Sequence, residues 1–204
     1  NYRIQKFSPR GKFIWSFGKK GAGPGQFNLP TNVQVDGFFR IYVADYYNNR
    51  IEVFDRYQNY LFSIPGLIDG KKPCTKTRCK TWLFRLPTDM AITRILEDQG
   101  TYYVNLYVVD NLNHRVHKFK VPQGGVLPEN WEDLKAWGPP VGTKGNGLEE
   151  FLNPYGIVVD DSDLDNPESH LIVHVQPCSP FRLRTRASPD AGSLSRRTKV
   201  LAGD

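Results

Sequence analysis

The sequence predicts an all-β fold assembled from small antiparallel sheets, and two observations lead to this class. The first is a phrase that occurs three times: Asn, any residue, Arg, a β-branched aliphatic residue, two variable residues and Phe. It occupies residues 1–7, 48–54 and 113–119. The second is a period-two alternation of apolar residues, broken every few positions by Gly, Asn, Asp or Pro, which is typical of short strands joined by tight turns. Recurrence at these intervals indicates a repeat architecture.

The strands follow one another in groups of four. Between Pro30 and Gly66 the alternation predicts strands at about residues 31–36, 40–45, 50–55 and 59–64. A sheet of four consecutive strands is the blade of a β-propeller. On this basis the chain divides as follows: a half blade at 1–17, a blade at 18–66, an insertion at 67–83, a blade at 84–137, a half blade at 151–175 and a tail at 176–204.

These strands amount to three blades, whereas propellers close with about four to eight. We therefore expect an incomplete arc of four-stranded antiparallel blades. Its open blade edges would then permit self-association. The alternative is a three-bladed ring, in which the trailing half blade pairs with the leading one.

Several linked phrases carry a family resemblance. Phe-Gly, Gly-Gln-Phe, Val-x-Val-Asp, Ile-Tyr-Val-Ala-Asp and Asn-Asn-Arg-Ile-x-Val-Phe follow one another between residues 17 and 54. This order resembles the NHL repeat; the similarity is dense from residue 1 to about 66, looser from 84 to 175 and absent after about 176. The resemblance implies a propeller that presents loops to protein partners, often as one arm of a larger multidomain chain.

An Asp, an Asn and an Arg recur at the corner between the second and third strands of each blade. They are Asp45, Asn48 and Arg50 in one blade and Asp110, Asn113 and Arg115 in the next. Asn tolerates left-handed backbone at a turn, and the Arg is placed to pair bidentately with the Asp that ends the preceding strand. Because these residues repeat with every blade, we interpret them as a structural latch and not as catalytic groups.

The sequence predicts no catalytic, cofactor or metal site, and therefore no enzyme. Peptidyl-α-hydroxyglycine α-amidating lyase is a similar propeller, and the resemblance to it implies a zinc-binding His after the Pro that opens each inner strand. Thr31, Thr88 and Tyr155 stand at those positions here, so a three-His zinc site cannot be built. A lyase-like enzyme is therefore placed third, after the two binding functions described next.

Protein–protein interaction is the predicted function, and single-stranded RNA binding of the kind found in tripartite-motif ubiquitin-ligase propellers is the alternative. Residues 1–85 carry 15 basic and 5 acidic side chains, whereas residues 86–175 carry 6 and 14. A basic region with aromatic side chains suits RNA. The residues proposed for such a surface, or for a protein partner, are Tyr46, Tyr47, Arg56 and Tyr57.

The remaining sequence features concern the cysteines, the C-terminal tail and the location of the protein. Cys74 and Cys79 either close a small disulfide loop or remain reduced thiols. Residues 176–204 are rich in Arg, Ser and Pro, which predicts a disordered basic tail. No apolar run is long enough to span a membrane. No N-terminal signal pattern is visible, but a chain that starts inside a repeat can have lost one, so the sequence leaves the compartment open and only favours the cytoplasm.

Overall fold

A computed structural model of the protein describes residues 1–64, 67–68, 72–73, 84–124, 135–137, 151–160 and 170–175. The predictions for Cys74, Cys79 and the tail lie outside these residues. Strands dominate the described part of the chain, where the only helical elements are two single turns of 3₁₀ helix. None of the described helices is long and apolar enough to cross a membrane.

The chain begins with a two-stranded antiparallel sheet, which we call the leading half blade. A loop at residues 18–29, here called the connecting loop, joins it to the next sheet and contains a short parallel pair of strands. The four strands are β1 (Ile4–Phe7), β2 (Phe13–Phe17), β3 (Lys19–Lys20) and β4 (Gln26–Phe27).

The first full blade is a four-stranded antiparallel sheet in sequential order. Its strands are β5 (Pro30–Val35), β6 (Ile41–Asp45), β7 (Arg50–Phe54) and β8 (Tyr60–Ile64), close to the predicted ranges. An aspartate fixes each hairpin turn. Asp36 Oδ1 accepts hydrogen bonds from the backbone N–H groups of Phe38 and Arg40, both at 2.9 Å. Asp55 does the same in the turn between β7 and β8.

The second full blade has one strand more than predicted. Between the blades lie the paired strands β9 (Leu67–Ile68) and β10 (Lys72–Pro73). The second blade then contains β11 (Pro87–Ile92), β12 (Leu96–Asp98), β13 (Thr101–Asp110), β14 (Arg115–Pro122) and β15 (Lys135–Trp137). The additional strand, β12, forms a hairpin with β13. Positive φ angles at Gln99 (49°) and Gly100 (76°) give this hairpin the backbone of a two-residue type I′ turn.

The chain's last described sheet is the trailing half blade. It consists of β16 (Pro154–Asp160) and β17 (His170–Val175), which pair antiparallel. The first strand of each repeat carries an irregularity in register just after its Pro, at Pro30, Pro87 and Pro154. The three inner strands therefore share one local geometry.

The sheets stack face to face, with an apolar cluster between each neighbouring pair. Phe27, Ile41, Val43 and Phe54 form the cluster between the leading half blade and the first blade. The largest cluster joins the two full blades and includes Tyr42, Ile51, Met90, Leu106 and Phe119. The third joins the second blade to the trailing half blade through Tyr107, Val109, Val116 and Ile157. The stacked antiparallel sheets, four-stranded in the first full blade and five-stranded in the second, confirm the predicted all-β class and its propeller arc.

A buried polar cluster also links the two full blades. Arg40 Nε lies 2.6 Å from Asp36 Oδ2, and Arg40 Nη1 donates to the carbonyl of Pro122 in the second blade at 2.6 Å. The Tyr42 hydroxyl donates to the same carboxylate at 2.9 Å. Burial and the charge of Asp36 raise the pKa of Tyr42. Arg40 is therefore one basic residue of the first 85 whose charge is buried in contacts within the protein. Arg50, described below, is another.

Candidate functional site

The corners between second and third strands are built in the same way in each repeat. After β6 the chain makes a 3₁₀ turn (Tyr46–Asn48), and after β13 it makes another (Asn111–Asn113). The residue that follows each turn is left-handed, with φ of 56° at both Asn49 and His114. Tyr2, at the matching position of the leading half blade, has φ of 50°. The left-handed residue is therefore the middle one of the Asn-x-Arg phrase.

Asp45 is fully buried at the centre of the first corner. Its Oδ1 accepts the backbone N–H of Asn28 at 2.6 Å. Its Oδ2 accepts Asn48 Nδ2 at 2.7 Å and Arg50 Nε at 3.0 Å. Burial raises the pKa of Asp45, while these hydrogen bonds and the charge of Arg50 act in the opposite direction. The carboxylate thus joins both sides of the corner to the loop that leads into β5.

Arg50 binds the connecting loop more extensively than it binds Asp45. Only Nε contacts the carboxylate, so the pairing is not bidentate. Nη1 donates to the carbonyl of Ala22 at 2.8 Å, and Nη2 donates to those of Gly23 (3.0 Å) and Gln26 (2.7 Å). One guanidinium therefore fixes the segment between two successive sheets as well as the corner.

A second buried carboxylate, which the sequence did not single out, faces Arg50. Glu52 Oε1 lies 3.3 Å from Arg50 Nη2, an ion-pair distance without hydrogen-bond geometry. Glu52 Oε2 accepts the backbone N–H of Gly25 at 3.2 Å. Burial raises the pKa of Glu52 to about 7, although Arg50 and this hydrogen bond lower it. The carboxyl group therefore titrates near neutral pH.

The second corner keeps the Asp and the Asn but replaces the Glu. Asp110 Oδ1 accepts the backbone N–H of Arg85 at 2.6 Å, and Oδ2 accepts Asn113 Nδ2 at 2.8 Å. His117, at the position that Glu52 holds in the first blade, places Nε2 3.0 Å from the same Oδ2. Arg115 is also buried. Burial lowers its pKa, and the charge of Asp110 opposes that effect.

Each left-handed corner residue also binds the next repeat. Asn49 Oδ1 accepts the backbone N–H of Leu86 at 2.9 Å, and His114 Nδ1 accepts that of Asn153 at 3.2 Å. Leu86 and Asn153 directly precede the Pro that opens an inner strand, and both have positive φ, as Leu29 has before Pro30. In both repeats, therefore, a hydrogen bond to the left-handed corner residue joins the corner to the start of the following blade.

The inner strands of three successive repeats meet at Asp89. Asn32 Nδ2 of β5 donates to Asp89 Oδ1, and the backbone N–H of Ile157 in β16 donates to Asp89 Oδ2 at 2.9 Å. Thr31 Oγ1 adds a longer bond to the carbonyl of Pro87 at 3.4 Å. Asp89 was not among the sequence-predicted residues. It connects one inner strand on each side of its own.

The positions that match the lyase zinc ligands lie close in sequence to Asp89 and to its partners Asn32 and Ile157. Thr31 and Tyr155 are exposed and Thr88 is buried, each at the register irregularity of its inner strand. Within the described ranges, no group of three or more His, Cys, Asp or Glu side chains is arranged to hold a metal ion.

The four residues proposed for a partner or RNA surface fall at two ends of the first blade. Tyr46 and Tyr47 lie in the corner, with ring centroids 5.0 Å apart. Arg56 and Tyr57 lie in the turn after β7, where the Arg56 guanidinium stands 4.3 Å from the Phe39 ring centroid. The five residues of β7 separate the two pairs by about 16 Å. The four residues therefore do not form one continuous surface.

The corner end carries its own exposed apolar surface, which we call the corner face: Leu29, Tyr46, Tyr47 and Tyr155. Tyr47, Tyr155 and Leu29 are 55%, 49% and 46% exposed. Burial raises the pKa of the Tyr46 hydroxyl, with smaller contributions from Tyr47 and Tyr155. Tyr155 belongs to the trailing half blade, so side chains from two different sheets contribute to one face.

Comparison with known proteins supports NHL repeats in part of the chain. A 56-residue segment is 43% identical to human NHL repeat-containing protein 3 and 41% identical to its mouse counterpart; it covers 28% of this chain and 16% of either relative. A 48-residue segment is 42% identical to Protein lin-41 of Caenorhabditis elegans, covering 24% of this chain and 4% of that protein. The matches thus span less than a fifth of these relatives. No protein-family model matches the chain.

Proposed function

We propose that the chain is a non-catalytic protein-interaction module and that the corner face receives the partner. The observation that carries this proposal is the exposure of Tyr47, Tyr155 and Leu29 at the end of the arc where the corners are held by buried polar groups. Tyrosine is enriched in the centres of protein interfaces and among the residues that dominate binding energy. Similarity to NHL repeat-containing proteins is in keeping with an interaction role.

The corner face rests on a rigid support. Tyr46 and Tyr47 follow Asp45 directly, and the backbone N–H of Tyr47 donates to the carbonyl of Asn28 at 3.0 Å. Both tyrosines are therefore carried by a turn whose ends are fixed by Asp45 and Arg50. A surface that is already ordered loses little conformational entropy on binding, so more of the contact energy is retained as affinity.

The charge of the connecting loop, which is bound to the first corner through Asn48 and Arg50, indicates the chemistry of the partner. Lys19 and Lys20 are exposed on the connecting loop, and the Lys20 ammonium lies 5.2 Å from the Tyr2 ring centroid. A protein segment that combines acidic side chains with an apolar anchor would satisfy both features. Complementary charges of this kind accelerate association and select among partners.

Single-stranded RNA is the second candidate, favoured by the exposed lysines of the connecting loop together with the exposed ring of Tyr47. Bases stack on tyrosine rings, while lysines contact phosphates, and such binding weakens strongly as salt is raised. The two candidates therefore differ in the ligand that is bound and in how steeply its affinity falls as salt is raised.

Peptides selected from a random displayed library on the wild-type protein test the proposal. Their affinity should fall roughly tenfold or more in the variant Tyr47→Ala/Tyr155→Ala, as expected for interface tyrosines. Tyr102→Ala is the matched control, because Tyr102 is 46% exposed on the β12–β13 hairpin, away from the corners. Peptides that bind both variants equally would refute the corner face as the binding site. Tight oligouridine binding that depends on Tyr47 and falls steeply with salt would favour RNA.

A further inference from the structure

We propose that Glu52 and Arg50 form a proton-controlled switch inside the first corner, which holds the connecting loop when Glu52 is protonated and releases part of it when Glu52 is ionised. In the protonated state Arg50 donates to the carbonyls of the loop. In the ionised state the carboxylate of Glu52 takes one of those hydrogen bonds. The switch is observed on the loop itself, and the inference therefore does not depend on the proposed function.

Both hydrogens on the Arg50 nitrogen that faces Glu52 are already used. Nη2 of a guanidinium carries two hydrogens, and here they are donated to the carbonyls of Gly23 (3.0 Å) and Gln26 (2.7 Å). Glu52 Oε1 lies 3.3 Å from the same nitrogen and makes no hydrogen bond. Three acceptors therefore surround two hydrogens, and any hydrogen bond that Glu52 gains from this nitrogen is lost by the loop.

The arrangement around Glu52 is that of a neutral carboxyl group. Its side chain is fully buried, Oε2 accepts the backbone N–H of Gly25 at 3.2 Å, and Oε1 is left without a hydrogen bond. Inside a protein, an ionised oxygen without a hydrogen bond is far more costly than a neutral one. Burial also raises the pKa of Glu52 to about 7. We therefore assign this arrangement to the protonated state, which prevails below neutral pH.

Besides burial, which raises the pKa of Glu52 most strongly, two charged groups act on this side chain. Arg50 favours its ionised form, and Asp45 disfavours that form. The neighbouring strands and the leading half blade contribute uncharged side chains to the junction: Val43, Ser63, Tyr60, Trp15 and Phe17. The cations of the leading half blade and of the connecting loop are exposed, where solvent screens them: Arg3, Lys6, Arg10, Lys12, Lys19 and Lys20.

Ionisation of Glu52 changes which acceptor Arg50 Nη2 prefers. A hydrogen bond between two charged groups is roughly twice as strong as one to a neutral carbonyl. The bond to Gly23 is the longer of the two that Nη2 makes, so we expect the carboxylate to displace the Gly23 carbonyl and to leave that of Gln26 in place. The same negative charge strengthens the bond from the Gly25 N–H, so the loop remains attached at that residue.

The sequence of the connecting loop suits a local movement. Residues 21–25 read Gly-Ala-Gly-Pro-Gly, and glycine adopts backbone angles that other residues avoid. The loop also carries the exposed Lys19 and Lys20. Its partial release therefore changes the charged surface that the first blade presents on this side.

The second corner differs at the decisive position. In place of Glu52 it has His117, whose Nε2 lies 3.0 Å from Asp110 Oδ2. A carboxyl group that competes for the corner arginine is therefore absent from this position. Of the two corners that the structure describes, only the first has the arrangement proposed as a switch.

Nuclear magnetic resonance of the 204-residue chain between about pH 5.5 and about pH 8.5 tests the switch. We expect the carboxyl carbon of Glu52 to titrate with a midpoint of about 7, and the carbonyl carbon of Gly23 to shift with the same midpoint. In Glu52→Gln the Gly23 carbonyl should keep its low-pH position throughout. Glu97→Gln is the matched control, because it removes an exposed carboxylate from β12 and should leave the titration unchanged.

Arg50→Lys separates the switch from a simple ionisation of Glu52. The amide of Gly25 senses Glu52 directly through its hydrogen bond, whereas the carbonyl of Gly23 senses it only through Arg50 Nη2. In Arg50→Lys the Gly25 amide should therefore still shift with pH, while the shift of the Gly23 carbonyl is lost.

A Gly23 carbonyl that does not titrate in the wild type would overturn the proposal, even if the Gly25 amide does, because Glu52 would then ionise without releasing the loop. So would a Gly23 shift that remains in Glu52→Gln, or a Glu52 midpoint near its ordinary value of 4.5. Persistence of the Gly23 shift in Arg50→Lys would refute transmission through the guanidinium.

Discussion

Replacing Arg50 with Lys should destabilise the protein by about 2–4 kcal/mol. The guanidinium makes three hydrogen bonds to carbonyls of the connecting loop in addition to its bond to Asp45. Lysine keeps the charge but concentrates its donors on one nitrogen, so it cannot reproduce a planar fork. Loss of two or more of these bonds, at about 1–1.5 kcal/mol each, gives this range.

Urea unfolding near neutral pH measures the effect, with the free energy of unfolding taken by linear extrapolation. Arg56→Lys is the matched control. Arg56 is exposed, and its replacement should change stability by no more than about 0.5 kcal/mol. Hydrogen exchange at the amide of Asn28 should accelerate in Arg50→Lys, because the connecting loop is released. A loss below about 1 kcal/mol would refute the view that this guanidinium fixes the loop.

Two further substitutions test local features of the corners. The pKa of Glu52 is about 7 in the folded protein, above its ordinary value of 4.5, so the wild type should lose stability as pH rises through that interval, by about 3 kcal/mol at most. Glu52→Gln should remove this loss, whereas identical pH profiles of unfolding free energy for the two proteins would contradict it. Leu29→Asn should stabilise the protein by about 0.5–1 kcal/mol, because φ at Leu29 is 59° and Asn tolerates this region. Leu61→Asn in a strand should not stabilise, and a lower melting temperature for Leu29→Asn would count against the strain argument.

The corner residues could be predicted from the sequence because their contacts are local. Asp45 and Arg50 are five positions apart, and the same Asp, Asn and Arg recur around each turn. The alternation of apolar residues likewise located both ends of all four strands of the first blade to within one residue. Short-range chemistry and a period of two are both visible in a single chain.

The contacts between blades could not be predicted in this way. Asp89 binds Asn32 and Ile157, which are 57 and 68 positions away, and neither spacing carries a local signal. The sequence shows a Glu at position 52 of the first blade and a His at the matching position 117 of the second. It does not show that both side chains are buried, because their burial results from the stacking of the sheets. The β12–β13 hairpin had a usable signal at Gln99-Gly100, because a Gly in a two-residue turn favours a hairpin.

The double-mutant cycle between Asn32 and Asp89 tests most directly whether successive repeats lie side by side through their inner strands. Asn32→Ala, Asp89→Ala and the double variant should give a coupling free energy of about 1–3 kcal/mol in urea unfolding, because a hydrogen bond to a charged group joins β5 to β11. Additive effects of the two substitutions, within about 0.3 kcal/mol, would contradict an arc in which these strands are neighbours.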